Sequence, residues 1–217
     1  MITMFKKKTN SQNYWNERSF KFANYYENPT RFDLIFRKAI FRRFNRVLEV
    51  CKKFKNPTVL DIGSGPGINC INLLKHSNVK YVTGIDFAPR MNDYANDYAK
   101  KHNLSNSCHF IEGDFVKYDR SEQLFDISIA LGVFDYIDNP QEFILKIEEF
   151  SKKAFVISWP NGGNLRMFLR KLRYTCPVYP YSENQIRKYH DNCKRIKEYK
   201  LHKGSAGWVS VAYLNKI

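Results

Sequence analysis

The sequence predicts an α/β domain of three layers: a mostly parallel sheet with helices on both faces. Two observations carry that prediction. From Pro57 onward, short apolar runs alternate with amphipathic stretches at a regular pitch, the pattern of strands joined by right-handed helical crossovers. At the first handover from strand to helix stands a glycine-rich turn, Gly63-Ser64-Gly65-Pro66-Gly67, at the edge where open parallel sheets bind ligands. With 217 residues, 43% of them hydrophobic, the chain can bury a core without a disulfide or metal staple.

Before the first strand, about fifty residues are crowded with aromatics, among them Tyr14, Trp15, Phe20, Phe22, Tyr25, Tyr26, Phe41 and Phe44. Phe32, Phe36, Ile40, Val47, Cys51 and Phe54 recur on one helical face, so this segment reads as helix packed on its neighbour. Thr58 to Ile62 is a buried strand, and the glycine turn leads into a helix ending near Lys75. Lys80 to Ile85 is a second strand, closed by Asp86, and Pro89 opens a helix to about His102. Ser107 to Ile111, Phe125 to Leu131 and Ala154 to Trp159 follow as strands, with a helix over Pro140–Phe150. Asn164–Arg173 and Glu183–Asn192 read as helices of an insert at about 162–193. Arg195–His202 and Trp208–Leu214 then form a terminal hairpin around Gly204 to Gly207. The division is a helical, aromatic segment over 1–56 and a sheet domain over 57–217.

Charge is unevenly spread. Residues 1–56 carry +10, residues 57–150 carry −6 and residues 151–217 carry +11. Such basic flanks suggest an anionic partner or substrate, with a solvated surface as the plain alternative. Five scattered cysteines without a C-x-x-C pair read as reduced thiols, with no metal expected, and no run is long enough for a membrane span. A cytoplasmic protein is the expectation.

Glycine at 63, 65 and 67 lets the backbone turn tightly and approach a ligand, while the following helix N-terminus offers unpaired N–H groups. Asp86, at the end of the second strand, can accept both hydroxyls of a ribose. A nicotinamide or flavin site could own such a glycine triplet. Three details tilt the choice: the G-x-G-x-G spacing, Asp61 two residues before the first glycine, and Gly113-Asp114 after the third strand.

With these in place, Val59-Leu60-Asp61-Ile62-Gly63-Ser64-Gly65-Pro66-Gly67 resembles the first motif of class I S-adenosylmethionine-dependent methyltransferases. Val82 to Asp86, Ile111 to Phe115 and Phe125 to Gly132 resemble the motifs of the next three strands. The resemblance implies a seven-stranded sheet whose last strand runs antiparallel between its neighbours. It also implies S-adenosylmethionine as cofactor. Gly63, Ser64, Gly65 and Gly67 would form the loop beside its methionine part, with Asp61 near the amino group. Asp86 would hold the ribose, Phe87 and Met91 would pack near the adenine, Asp114 would meet its amino group beside Phe115, and backbone at Leu131 would face the methionine.

The acceptor is less legible. No (N/D)-P-P-(Y/F) follows the fourth strand, where Gly132-Val133-Phe134-Asp135-Tyr136 stands instead. Compact size and the aromatic N-terminal segment resemble the small-molecule branch of the family, in which such a segment closes over the site. Tyr14, Tyr25 and Tyr26 are candidates for that lid, the latter two also beside the cofactor. Trp159 and Asn161 would edge the acceptor pocket, and Arg166, Arg170 and Arg173 would present guanidinium groups to an anionic acceptor. His190, beside Asp191, is the candidate general base, with Asp135 and Tyr136 as alternatives. Two other functions stay open: an RNA methyltransferase using the basic flanks, and a cofactor-binding protein without catalysis.

Overall fold

The computed structural model describes residues 10–27, 31–119, 123–162, 175–205 and 207–216, over 21–39 as backbone only. The helices are α1 (Ser11–Glu27), α2 (Arg31–Cys51), α3 (Ile68–His76), α4 (Pro89–Lys101), α5 (Pro140–Phe150) and α6 (Glu183–Asp191). The strands are β1 (Thr58–Ile62), β2 (Tyr81–Asp86), β3 (Cys108–Glu112), β4 (Phe125–Ala130), β5 (Ser151–Pro160), β6 (Ile196–Gly204) and β7 (Gly207–Leu214). They form one seven-stranded sheet in the order β3-β2-β1-β4-β5-β7-β6. β1 pairs in parallel with β2 and β4, and β7 runs antiparallel between β5 and β6. The predicted sheet is therefore present. β5 is longer at both ends than its apolar run, because Ser151 pairs with Phe125 of β4 at one end and Pro160 with Gly207 of β7 at the other.

Strand alternation sorts the core into two layers. Val59, Val82, Ile127, Ile129, Val156, Val209 and Val211 face α2, α3 and α4. Leu60, Ile85, Phe155, Ile157, Trp159 and Ala212 face α5 and α6. On α2, Phe44, Val47, Val50 and Cys51 are buried against the first layer, so its apolar face is a core face. Phe41 on the same helix is exposed. α5 starts at Asn139, whose side chain accepts from the Glu142 N–H, and α6 starts in a capping box between Ser182 and Gln185. No described helix is long and apolar enough to cross a membrane. The insert helix predicted over 164–173 lies outside the described residues.

Candidate cofactor and acceptor site

The sheet order reverses at β1, whose two neighbours are β2 and β4, and the loops leaving their carboxyl ends bound one crevice. Register aligns those ends: Asp61 lies beside Gly84 on one side and Ile129 on the other. The glycine loop is tied to β2 by the Gly63 and Ser64 N–H groups, which donate to Ile85 O at 2.8 and 3.2 Å. Gly63 holds φ +68°, and a Cβ there would collide with Val133 of the loop after β4. Gly67 holds φ +73° and packs so tightly that a Cβ would lie 2.8 Å from the Phe110 ring. Only glycine satisfies both the left-handed backbone and the contact at these two positions.

Asp86 is 7% exposed. Its Oδ2 accepts from Gly65 N–H at 2.9 Å and its Oδ1 from Ala88 N–H at 2.9 Å. Burial pushes its carboxyl above the ordinary range, and these two bonds pull it back only in part. A carboxylate offers about four acceptor positions, so two remain for hydroxyl donors. Asp61 is 1% exposed and accepts from the Cys70 thiol at 3.3 Å; burial raises its carboxyl to about 7. The buried Ser64 hydroxyl has no hydrogen-bond partner. Ribose hydroxyls at Asp86, an amine at Asp61 and a polar group at Ser64 together fit a nucleoside with an amino-acid tail.

Over this edge lies α1. Gln12 donates from Nε2 to Phe87 O at 2.7 Å, and Asn16 Oδ1 accepts from Arg90 N–H at 3.2 Å. Further along the edge, the half-buried Trp15 meets the Tyr136 ring edge to face at 5.4 Å. The helix thus bridges the loop after β2 and the turn after β4, passing the glycine loop between them. Tyr14 is buried, with its ring against Trp15 at 5.3 Å and the Arg18 guanidinium 4.6 Å from its centre.

The structure brings Asp61, Gly63, Ser64, Gly65, Gly67 and Asp86 to one crevice, with half-buried Phe87 and Leu131 and buried Met91 on adjoining segments. Asp135 and Tyr136 sit in the short 3-10 turn after β4, where Asp135 O accepts from Tyr179 N–H at 2.9 Å. Asn161 is half-buried directly after β5. Asp114 is exposed, and its Oδ1 accepts from Val116 N–H within its own turn at 3.0 Å.

Three expectations need correction. Phe115 packs against Phe143 and Phe150 in the core beneath α5, because the chain turns inward after Asp114. Trp159 is wholly buried, its indole donating to Ser210 Oγ at 2.9 Å and its rings against Phe134. It is a core residue because β5 alternation points it at α6. His190 is 1% exposed, held at Nδ1 by Ile186 O at 2.8 Å and stacked on Tyr199. Burial lowers its pKa to about 4, and Phe155, Trp159 and Tyr199 enclose the ring within the second core layer. Arg166, Arg170 and Arg173, and the side chains of Tyr25 and Tyr26, lie outside the described residues.

Sequence reasoning missed Gln12, Asn16 and Val133, none of which carries a pattern of its own. Cys70 likewise has no pattern of its own and is marked only by its contact with Asp61. Among the described residues, no cluster of three or more His, Cys, Asp or Glu is placed to hold a metal ion.

Comparison with known proteins adds to this geometry. Residues 53–207 match a family model described as a methyltransferase domain. The human EEF1A lysine methyltransferase 2 is 34% identical over 112 residues, covering 50% of this chain and 47% of that protein. The ubiquinone biosynthesis O-methyltransferase of Rickettsia akari is 28% identical over 152 residues, covering 70% of this chain and 53% of that protein. The chain thus spans about half the length of these curated relatives. The magnesium protoporphyrin IX methyltransferase of Synechocystis with bound SAH shares the fold at TM-score 0.75 and 18% identity, over 94% of this chain and 97% of that one.

Proposed function

This chain belongs to the methyltransferase-domain family, and from that membership we propose that it transfers a methyl group from S-adenosylmethionine to a small acceptor. The observation that carries the reading is the hydrogen bond between Asp86 and the Gly65 N–H, which unites the ribose-binding carboxylate and the glycine loop in one site. When bound, the cofactor supplies an activated sulfonium methyl, so that displacement leaves S-adenosylhomocysteine and the acceptor loses a proton. The protein's part is then orientation and exclusion of water. Asp86 receives the ribose hydroxyls and Asp61 the amine of the amino-acid tail, while Ser64 supplies a hydroxyl within the loop. Asp135 and Tyr136, in the 3-10 turn after β4, are the candidates to stand next to the acceptor, and Asn161 stands directly after β5.

A small acceptor is supported by α1, which spans the crevice through Gln12, Trp15 and Asn16 and acts as its lid. A relative named for ubiquinone biosynthesis supports that choice, while the relative named for lysine methylation points to a protein acceptor. The basic flanks favour an acceptor with anionic character, for which Arg166, Arg170 and Arg173 are candidates. The five cysteines are all free thiols, which fits a reducing, cytoplasmic setting. The test is calorimetric titration with S-adenosylhomocysteine, followed by mass spectrometry of metabolites from cells with and without the protein. Binding of NAD as tight as that of S-adenosylhomocysteine would overturn the reading.

One observation favours RNA as a second reading. α2 packs on β5 and β7, so the two basic flanks are neighbours. Lys53 stands 4.3 Å from the Tyr213 ring centre and Lys153 5.3 Å from that of Phe54. Lys52, Lys55 and Lys152, close by in sequence, are exposed.

A further inference from the structure

Asp61 is a buried carboxylate of unusual company. β1 alternation turns it toward α3, where the Cys70 Sγ donates to its Oδ2 at 3.3 Å. A thiol is a weak donor. Burial drives the Cys70 pKa well up, with Asp61 itself the next cause, so the sulfur keeps its proton and remains a donor. The ionisable groups bearing on Asp61 are Cys70 from α3 and Asp86 from β2, and no cation contributes among the described residues. The thiol of Cys108, on β3, bears on Cys70 in turn. A carboxyl in that setting lacks both the solvent and the counter-charge that favour ionisation, and its value of about 7 reflects this. An ammonium group placed against it would supply the missing counter-charge.

We propose that cofactor binding at this loop is coupled to loss of a proton from Asp61, and that Cys70 is the positioning residue that holds the carboxylate for the exchange. The inference rests on the cofactor reading above. In the free protein below neutrality Asp61 carries a proton. When the ammonium of the amino-acid tail arrives, that proton leaves to solvent and a carboxylate–ammonium pair remains. Cys70 donates to Oδ2 of the anion so formed. Binding therefore strengthens as pH rises through the titration of Asp61, then levels off.

The test is calorimetry of S-adenosylhomocysteine binding to the full chain, in pairs of buffers that differ in ionisation enthalpy. Close to one proton should be released per site at about pH 6, about half near pH 7 and almost none near pH 8.5. Asp61→Asn should abolish the release and weaken binding. Should that variant fail to fold, Cys70 still decides the matter. Cys70→Ala should move the release profile to higher pH, and Cys70→Ser should restore it. Binding with no proton release at any pH would overturn the coupling and leave the cofactor reading standing. An unmoved profile in Cys70→Ala would overturn the role of the thiol. No binding of S-adenosylhomocysteine at all would overturn the cofactor reading and this inference with it.

Discussion

The Asp86 carboxylate accepts hydrogen bonds from Gly65 N–H and Ala88 N–H, both at 2.9 Å. One side chain thus ties the glycine loop to the start of the next helix. These bonds add to those from the Gly63 and Ser64 N–H groups to Ile85 O, and together they hold the two loops that bound a nucleoside site.

Replacing Asp86 with Ala should weaken S-adenosylhomocysteine at least tenfold. Charge-assisted hydrogen bonds to the ribose contribute roughly 1.5–3 kcal/mol each. Calorimetry reads the loss and circular dichroism the retained fold. Unchanged affinity would place the ribose elsewhere.

Gly63→Ala should destabilise the protein by about 1–3 kcal/mol, since it strains a left-handed residue and drives a methyl group into Val133. Adding Val133→Ala should recover the steric part and leave the backbone part. Urea unfolding of the single and double variants separates the two. An equally stable single variant would contradict the packing described.

His190→Phe should leave S-adenosylhomocysteine affinity and methyl transfer within about twofold. Its effect should appear in acid stability instead. The folded-state pKa of about 4 lies below the ordinary 6.5, so the unfolded chain takes up a proton that the folded chain refuses. Stability is therefore lost as pH falls from about 6.5 towards 4, by about 2 kcal/mol at pH 5. Unfolding curves at pH 7.5 and pH 5 should differ by that much less in the variant than in the wild type. Loss of methyl transfer with intact cofactor binding would restore His190 as a base.

Trp15→Ala removes the edge-to-face contact with Tyr136, of a kind that contributes about 0.5–1.5 kcal/mol. Stopped-flow measurement should show S-adenosylhomocysteine leaving several-fold faster, with little change in unfolding midpoint. An unaltered rate would mean that α1 does not gate the crevice.

The small-molecule and RNA readings diverge under salt. If the converging flanks bind RNA, its affinity should fall steeply and log-linearly with salt, as neutralised phosphates regain counterions. Filter binding from low to physiological salt reads this, and methyl transfer to RNA alongside would overturn the small-molecule reading. Weak binding without methyl transfer leaves it in place.

Sequence alone determined the sheet and the cofactor loop. Strand alternation, the three glycines and Asp86 are local signals: each follows from a few consecutive residues. Even the antiparallel last strand was legible, through the resemblance and the hairpin glycines. Which polar side chains face the site and which face the core was decided by tertiary structure. His190 and Trp159 look like site residues in one dimension, yet β5 alternation and the capping of α6 turn both into the second core layer. Phe115 is drawn beneath α5 in the same way. Conversely, Gln12, Asn16 and Cys70 gain their meaning only from partners 75, 74 and nine positions away. Burial and hydrogen-bond partnership depend on segments far apart in sequence, and only the packed chain fixes them.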